Sequence, residues 1–166
     1  EVEKLWEWSA NNDYVQVILM MIYAGTRPSE FFSIKREDVD LEERSIKITD
    51  GKNDLAKRKI PIYERCVPFY ENWLSKDTEY LVTKLNGKHF NVKTNHQQYV
   101  DTYWKPILED IGIYTYRNPD NQIQSHLPHD TRHTFASMWR EKKLDEVFRR
   151  KIQGHSGKGI GEQVYT

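Results

Sequence analysis

Residues 14–30 read YVQVILMMIYAGTRPSE, from Tyr14 to Glu30. The first eleven are apolar on nearly every side, the pattern of a helix buried all round rather than one lying on a surface. Gly25 supplies the natural stop. Thr26-Arg27-Pro28-Ser29-Glu30 then has the chemistry of a second helix start. Thr26 can cap it, Pro28 suits the first turn, and Glu30 suits the positive end of the dipole. A helix buried on all sides needs neighbours, so the rest of the chain must wrap it.

Upstream, Glu3 to Ala10 holds Leu5, Trp6 and Trp8 in a polar setting, a short amphipathic helix. Asn11-Asn12-Asp13 breaks it and offers a new N-cap. Downstream, Arg44 to Thr49 (RSIKIT) and Arg58 to Ile62 (RKIPI) both alternate, around the turn-rich Asp50-Gly51-Lys52-Asn53-Asp54. This predicts a β-hairpin with a long basic loop. Arg65 to Leu74 reads as a helix, Tyr80-Leu81-Val82 as a short strand, and His96 to Gly112 as a helix that Pro106 can kink. Tyr114 to His126 is polar and reads as a loop. Helices follow from His129 to about Lys143 and from Leu144 to Gln153, ended by Gly154. Three glycines then lead to Tyr165-Thr166. The predicted fold class is mixed α+β, mainly α-helical with a small antiparallel β-sheet.

A chain of 166 residues fits one domain, or one intact domain of a larger protein. With 5 Trp, 10 Tyr and 6 Phe it carries the aromatics that disordered chains lack. Its 25 basic and 25 acidic side chains cancel, which excludes a uniformly basic surface. The charge is uneven, however. Residues 1–43 hold four basic and ten acidic side chains, a balance of −6, while residues 44–62 hold six and two, a balance of +4. The apolar run Val15 to Tyr23 is about half the ~20 residues of a membrane span. The opening Glu1-Val2-Glu3-Lys4 lacks the order of a signal peptide. Cys66, the single cysteine, can form no internal disulfide and suits a reducing cytoplasm. The missing initiator Met and the helical opening predict an excised fragment.

Three clusters carry chemistry. Arg27 follows a rigid helix and a Gly, where it can grip an anion with its planar fork, or simply pair with Glu30 on the surface. His129-Asp130-Thr131-Arg132-His133 places His129 beside Arg132 on one helix face, which suits an anion, a metal or a solvated face. His129 and His133 have the spacing of a zinc helix, but Arg132 would oppose a dication and no third ligand is marked downstream. Ile152-Gln153-Gly154-His155 puts a His directly after a helix stop, where it can also serve as a charge–dipole contact. Tyr165 near the chain end has a packed aromatic as its plain reading.

The order of these clusters is more specific than any one of them. GTRPSE, a basic hairpin with Gly51-Lys52 at its turn, HDTRHTF, GHS and a final VYT together resemble the tyrosine recombinase (phage integrase) family over nearly the whole chain. The resemblance implies that the chain, residues 1–166, is the catalytic domain, without the N-terminal DNA-binding domain and C-terminal tail of that family. It implies the catalytic residues Arg27, Lys52, His129, Arg132, His155 and Tyr165, with Tyr165 the nucleophile and Glu30 a support for Arg27. It implies site-specific strand cleavage and rejoining of double-stranded DNA through a 3′-phosphotyrosyl intermediate. No metal and no other cofactor is expected, and the full-length protein is expected to form a synaptic tetramer in the cytoplasm of a bacterium or from a mobile element. Arg44, Lys47, Lys57, Arg58, Lys59, Arg149, Arg150 and Lys151 are the expected DNA-backbone contacts. His155 and Tyr165 lie ten residues apart, one more than the commonest form, with glycines in place of the usual Ser and Thr. A topoisomerase-like resealing enzyme and a DNA-binding regulator that has lost activity are the alternatives, along with a zinc hydrolase built on His129 and His133.

Overall fold

The computed structural model describes residues 1–51 and 56–155. Lys52 and Tyr165 therefore lie outside the described residues. The helix read from the opening stretch is α2, Asp13–Ala24. The Asn12 side chain caps it by accepting from the amides of Tyr14 and Val15 at 2.9 and 3.3 Å. Val15, Val17, Ile18, Leu19, Met20 and Met21 are all buried, each stabilising the fold by about 1.5–3 kcal/mol. Gly25 ends the helix at φ +68, and its amide closes on the Met21 carbonyl at 3.1 Å. A side chain there would also meet Phe135, since an added Cβ would stand 2.7 Å from its ring.

α1, Val2–Ser9, packs along α2. α3, Pro28–Phe32, begins at Arg27 rather than at Thr26. Its cap is supplied from within, because the Glu30 carboxylate accepts from the Arg27 amide at 2.9 Å. The Thr26 hydroxyl is buried and has no hydrogen-bond partner among the described residues, so the expected Thr26 cap is not formed.

The hairpin is present and has a third strand. β1, Val39–Asp40, pairs antiparallel with β2, Ser45–Ile48, which pairs antiparallel with β3, Arg58–Pro61. Ile46 and Ile60 face each other in the register and are both buried. α4, Val67–Leu74, follows a 3₁₀ turn at Glu64–Cys66. Tyr80 makes only an isolated bridge to Lys35, not a strand. The predicted 96–112 helix forms as α5, His96–Tyr99, a π turn at Val100–Trp104, and α6, Lys105–Ile111. Pro106 has no amide to offer the Thr102 carbonyl, and the wider turn lies just before it.

The expected loop at 114–126 is a second hairpin, β4 Thr115–Arg117 with β5 Ile123–Ser125. Its strands are exposed or half-buried throughout, so no apolar alternation announced them. α7, Asp130–Glu141, and α8, Glu146–Gln153, close the described chain. α7 packs on α2, and α8 packs on α7 and β3. Among the described residues no helix is long and apolar enough to cross a membrane.

Candidate active site

Two backbone carbonyls bring the site together. Arg132, in the first turn of α7, is buried. Its Nη1 donates to the carbonyl of Gly25 at 2.9 Å and its Nη2 to that of Gln153 at 2.6 Å. Gly25 is two residues before Arg27, and Gln153 is two before His155. His129 occupies the N-cap position of α7, three residues ahead of Arg132. Four of the six expected catalytic residues, Arg27, His129, Arg132 and His155, are thus drawn to one place by covalent adjacency and two hydrogen bonds.

Each is held by its local structure. α8 ends in a left-handed Gly154 at φ +66, a conformation that glycine adopts without strain. The His155 amide then donates back to the Arg150 carbonyl at 3.0 Å, which fixes where His155 starts. Asp130 is occupied with the entry to α7, accepting from the Leu127 amide at 3.1 Å and lying 3.0 Å from Nδ1 of His126. That leaves His129 and His133 as neighbouring rings 5.0 Å apart, and among the described residues no group of three His, Cys, Asp or Glu could hold a metal.

Cationic side chains act on one another across this cluster. Burial pulls the Arg132 guanidinium down to about 10, with the charge of Arg27 adding to the effect; it is still cationic at neutral pH. Among the described residues no carboxylate lies within ion-pair distance of it, so a buried cation is left with neutral partners. Burial also lowers the His129 and His155 imidazoles; His133, Arg132 and Arg27 push His129 further, and Arg132, Arg149 and Arg27 push His155. Both rings are neutral near pH 7. Arg27, with its side chain 45% exposed, reaches outward from this group.

The structure corrects two of the expected DNA contacts. The Arg58 side chain is mostly covered and lies against Glu30, because it shares a strand face with Ile60. Arg149 is buried as well, with its guanidinium on Glu146 and Gln153. Neither presents its charge to solvent. Arg44, Lys47, Lys57, Lys59, Arg150 and Lys151 are exposed, although Lys59 pairs with Glu43 at 2.7 Å and Arg44 with Glu64 at 3.7 Å. Gln153 had drawn no attention in the sequence, yet it is fully buried and joins Arg132 to Arg149. Its spacing of four from Arg149 is the one available signal.

The phage integrase family profile matches residues 1–166, and the chain belongs to that family. It is 26% identical over 155 residues to the tyrosine recombinase XerC of Proteus mirabilis, covering 89% of this chain and 45% of that protein. It superposes on the crystal structure of XerA recombinase with a TM-score of 0.74 at 26% identity, covering 93% of this chain and 52% of the other. The Tn1549 transposon integrase, solved in complex with transposon right end DNA, shares the fold at a TM-score of 0.71 and 17% identity, over 93% of this chain and 56% of its own. The chain spans about half the length of the relatives it matches.

Proposed function

We propose that this chain is the catalytic domain of a site-specific DNA recombinase or integrase. The observation that carries the reading is Arg132, a buried guanidinium whose two fixed partners are neutral carbonyls, with Arg27 and two neutral imidazoles around it. Among the described residues no carboxylate pairs directly with it, although the charge of Glu30 offsets part of its own, and a phosphodiester of double-stranded DNA supplies the missing partner.

In this reading Arg27 and Arg132 hold the non-bridging oxygens, whose charge grows as the phosphorus is attacked. One such donor is worth on the order of 10²–10³ in rate. His155 adds a further donor, and neutral His129 accepts the proton of Tyr165 as its oxygen attacks in line. The 5′-oxygen leaves, protonated by Lys52, and the 3′-phosphate remains on Tyr165. The bond energy is kept in that ester, so a second 5′-hydroxyl can reverse the step and rejoin a strand with neither ATP nor metal. Arg44, Lys47, Lys57, Lys59, Arg150 and Lys151 supply backbone contacts, and the full-length protein assembles as a tetramer across two sites.

The test is to incubate full-length protein with supercoiled DNA carrying one or two copies of the ends of its parent element. Strand exchange that requires paired sites supports the proposal. Relaxation that needs no site would identify a topoisomerase-like enzyme instead, and binding without cleavage a regulator.

A further inference from the structure

The side chain of Arg58 is 9% exposed, and its three nitrogens reach three different segments. Nη1 and Nη2 donate to the two carboxylate oxygens of Glu30 at 3.2 and 3.0 Å. Nη1 also donates to the Ala56 carbonyl at 2.7 Å, within the arm of the β2–β3 hairpin. Nε donates to the Ile152 carbonyl at 2.6 Å, near the end of α8 and three residues before His155. Glu30 in turn accepts from the backbone amide of Arg27 at 2.9 Å and from its guanidinium at 3.3 Å. The fit is close on the α8 side, where a Cβ on Gly154 would stand 2.6 Å from Nη1 of Arg58.

Isolated buried ion pairs add little to stability, so a pair alone does not account for this arrangement. Its geometry does something more specific: it ties the start of α3, the base of the basic hairpin and the end of α8 to one rigid planar group. Burial pushes the Glu30 carboxyl up, but Arg58 and the Arg27 amide outweigh this and hold it below its ordinary range. Glu30 therefore stays an anion, and Arg58 remains bound to it.

We propose that Arg58 is a positioning residue for strand cleavage, setting Arg27 and His155 in register with the β2–β3 hairpin without itself touching DNA. This rests on the recombinase reading above. A shift of about 1 Å in a positioning contact can cost 10²-fold in rate, and Lys cannot replace a fork that bonds three segments.

The experiment compares full-length protein with its Arg58→Lys variant, which keeps a cation beside Glu30. Covalent adduct formation is timed in a single turnover at saturating DNA, on a nicked substrate with an ordinary scissile phosphate and on one with a neutral methylphosphonate there. Removing the phosphate charge lessens the need for a well-placed Arg27. The expected result is unchanged DNA affinity, an adduct rate down by about 10²-fold on phosphate, and a much smaller loss on methylphosphonate. Both rates are read on one sample, so a reduced folded fraction divides out of their ratio. An unaltered rate, a loss found only in affinity, or an equal loss on both substrates would overturn the inference. No adduct from the unaltered protein would overturn the recombinase reading, and this inference with it.

Discussion

Arg132 and Gln153 bond to each other in both directions. The Arg132 guanidinium donates to the Gln153 carbonyl at 2.6 Å, and the Gln153 carboxamide donates to the Arg132 carbonyl at 3.1 Å. Both residues are buried, so this closed pair locks the start of α7 to the end of α8 where water does not compete. The position of the cation and the position of His155 are consequently one structural fact.

Arg132→Ala should damage both fold and chemistry. It leaves the Gly25 and Gln153 carbonyls without their donor, at about 1–3 kcal/mol for each unsatisfied group, and on the proposed function it removes a phosphate donor worth about 10²–10³ in rate. Arg132→Lys should recover some stability and little cleavage, since one ammonium cannot span two carbonyls and a phosphate. Thermal melting alongside single-turnover cleavage measures both effects. Near-normal cleavage by the Lys variant would count against a fork-dependent role.

Acid should weaken the fold through the two lowered imidazoles. As pH falls past 6.5, the unfolded chain takes up protons at His129 and His155 that the folded chain still refuses. Stability therefore falls with pH in the window below 6.5 and is retained above it. A His129→Gln, His155→Gln double variant should lose less melting temperature than the unaltered protein over that interval. Parallel melting curves for the two proteins would contradict the assignment.

Adjacent arginines on α8 should separate cleanly. Arg149 bonds Glu146 and Gln153, so Arg149→Ala should lower the melting temperature and leave the salt dependence of DNA binding unchanged. Arg150 is exposed, so Arg150→Ala should do the reverse, reducing the slope of log affinity against log salt by about 0.9. Titrations at several salt concentrations decide between them.

Much of this was legible in the sequence because strong local signals agreed with the tertiary structure. The apolar stretch Val15–Tyr23, the stops at Gly25 and Gly154, and the alternation of β2 and β3 each arise from burial or backbone geometry that the residues impose locally. The second hairpin was not legible, because its strands bury no apolar face and Asn118-Pro119-Asp120-Asn121 reads as loop whether or not strands flank it. The π turn was foreseen only as a kink at Pro106. Arg27, His129, Arg132 and His155, expected together from their order along the chain, are brought close by the two bonds of the Arg132 guanidinium. Arg58 and Arg149 were expected at the surface because charge was counted without regard to side, and both side chains turn inward. Arg58 stands two residues from Ile60, on the buried strand face, so its period already pointed inward. On α8 the usual polarity is reversed: Arg149 and Gln153 are buried while Val147 and Phe148 are 39% and 51% exposed, and no amphipathic pattern predicts that.

The central claim is that the phosphate held by Arg27 and Arg132 is attacked by a tyrosine of this same chain. Its most direct test is to trap the protein on nicked DNA, digest both components, and locate the nucleotide-bearing residue by mass spectrometry. The account predicts one 3′-phosphotyrosyl adduct, at Tyr165, that disappears in Tyr165→Phe while DNA binding persists. An adduct that survives this substitution, or one that maps to a different residue, would contradict it.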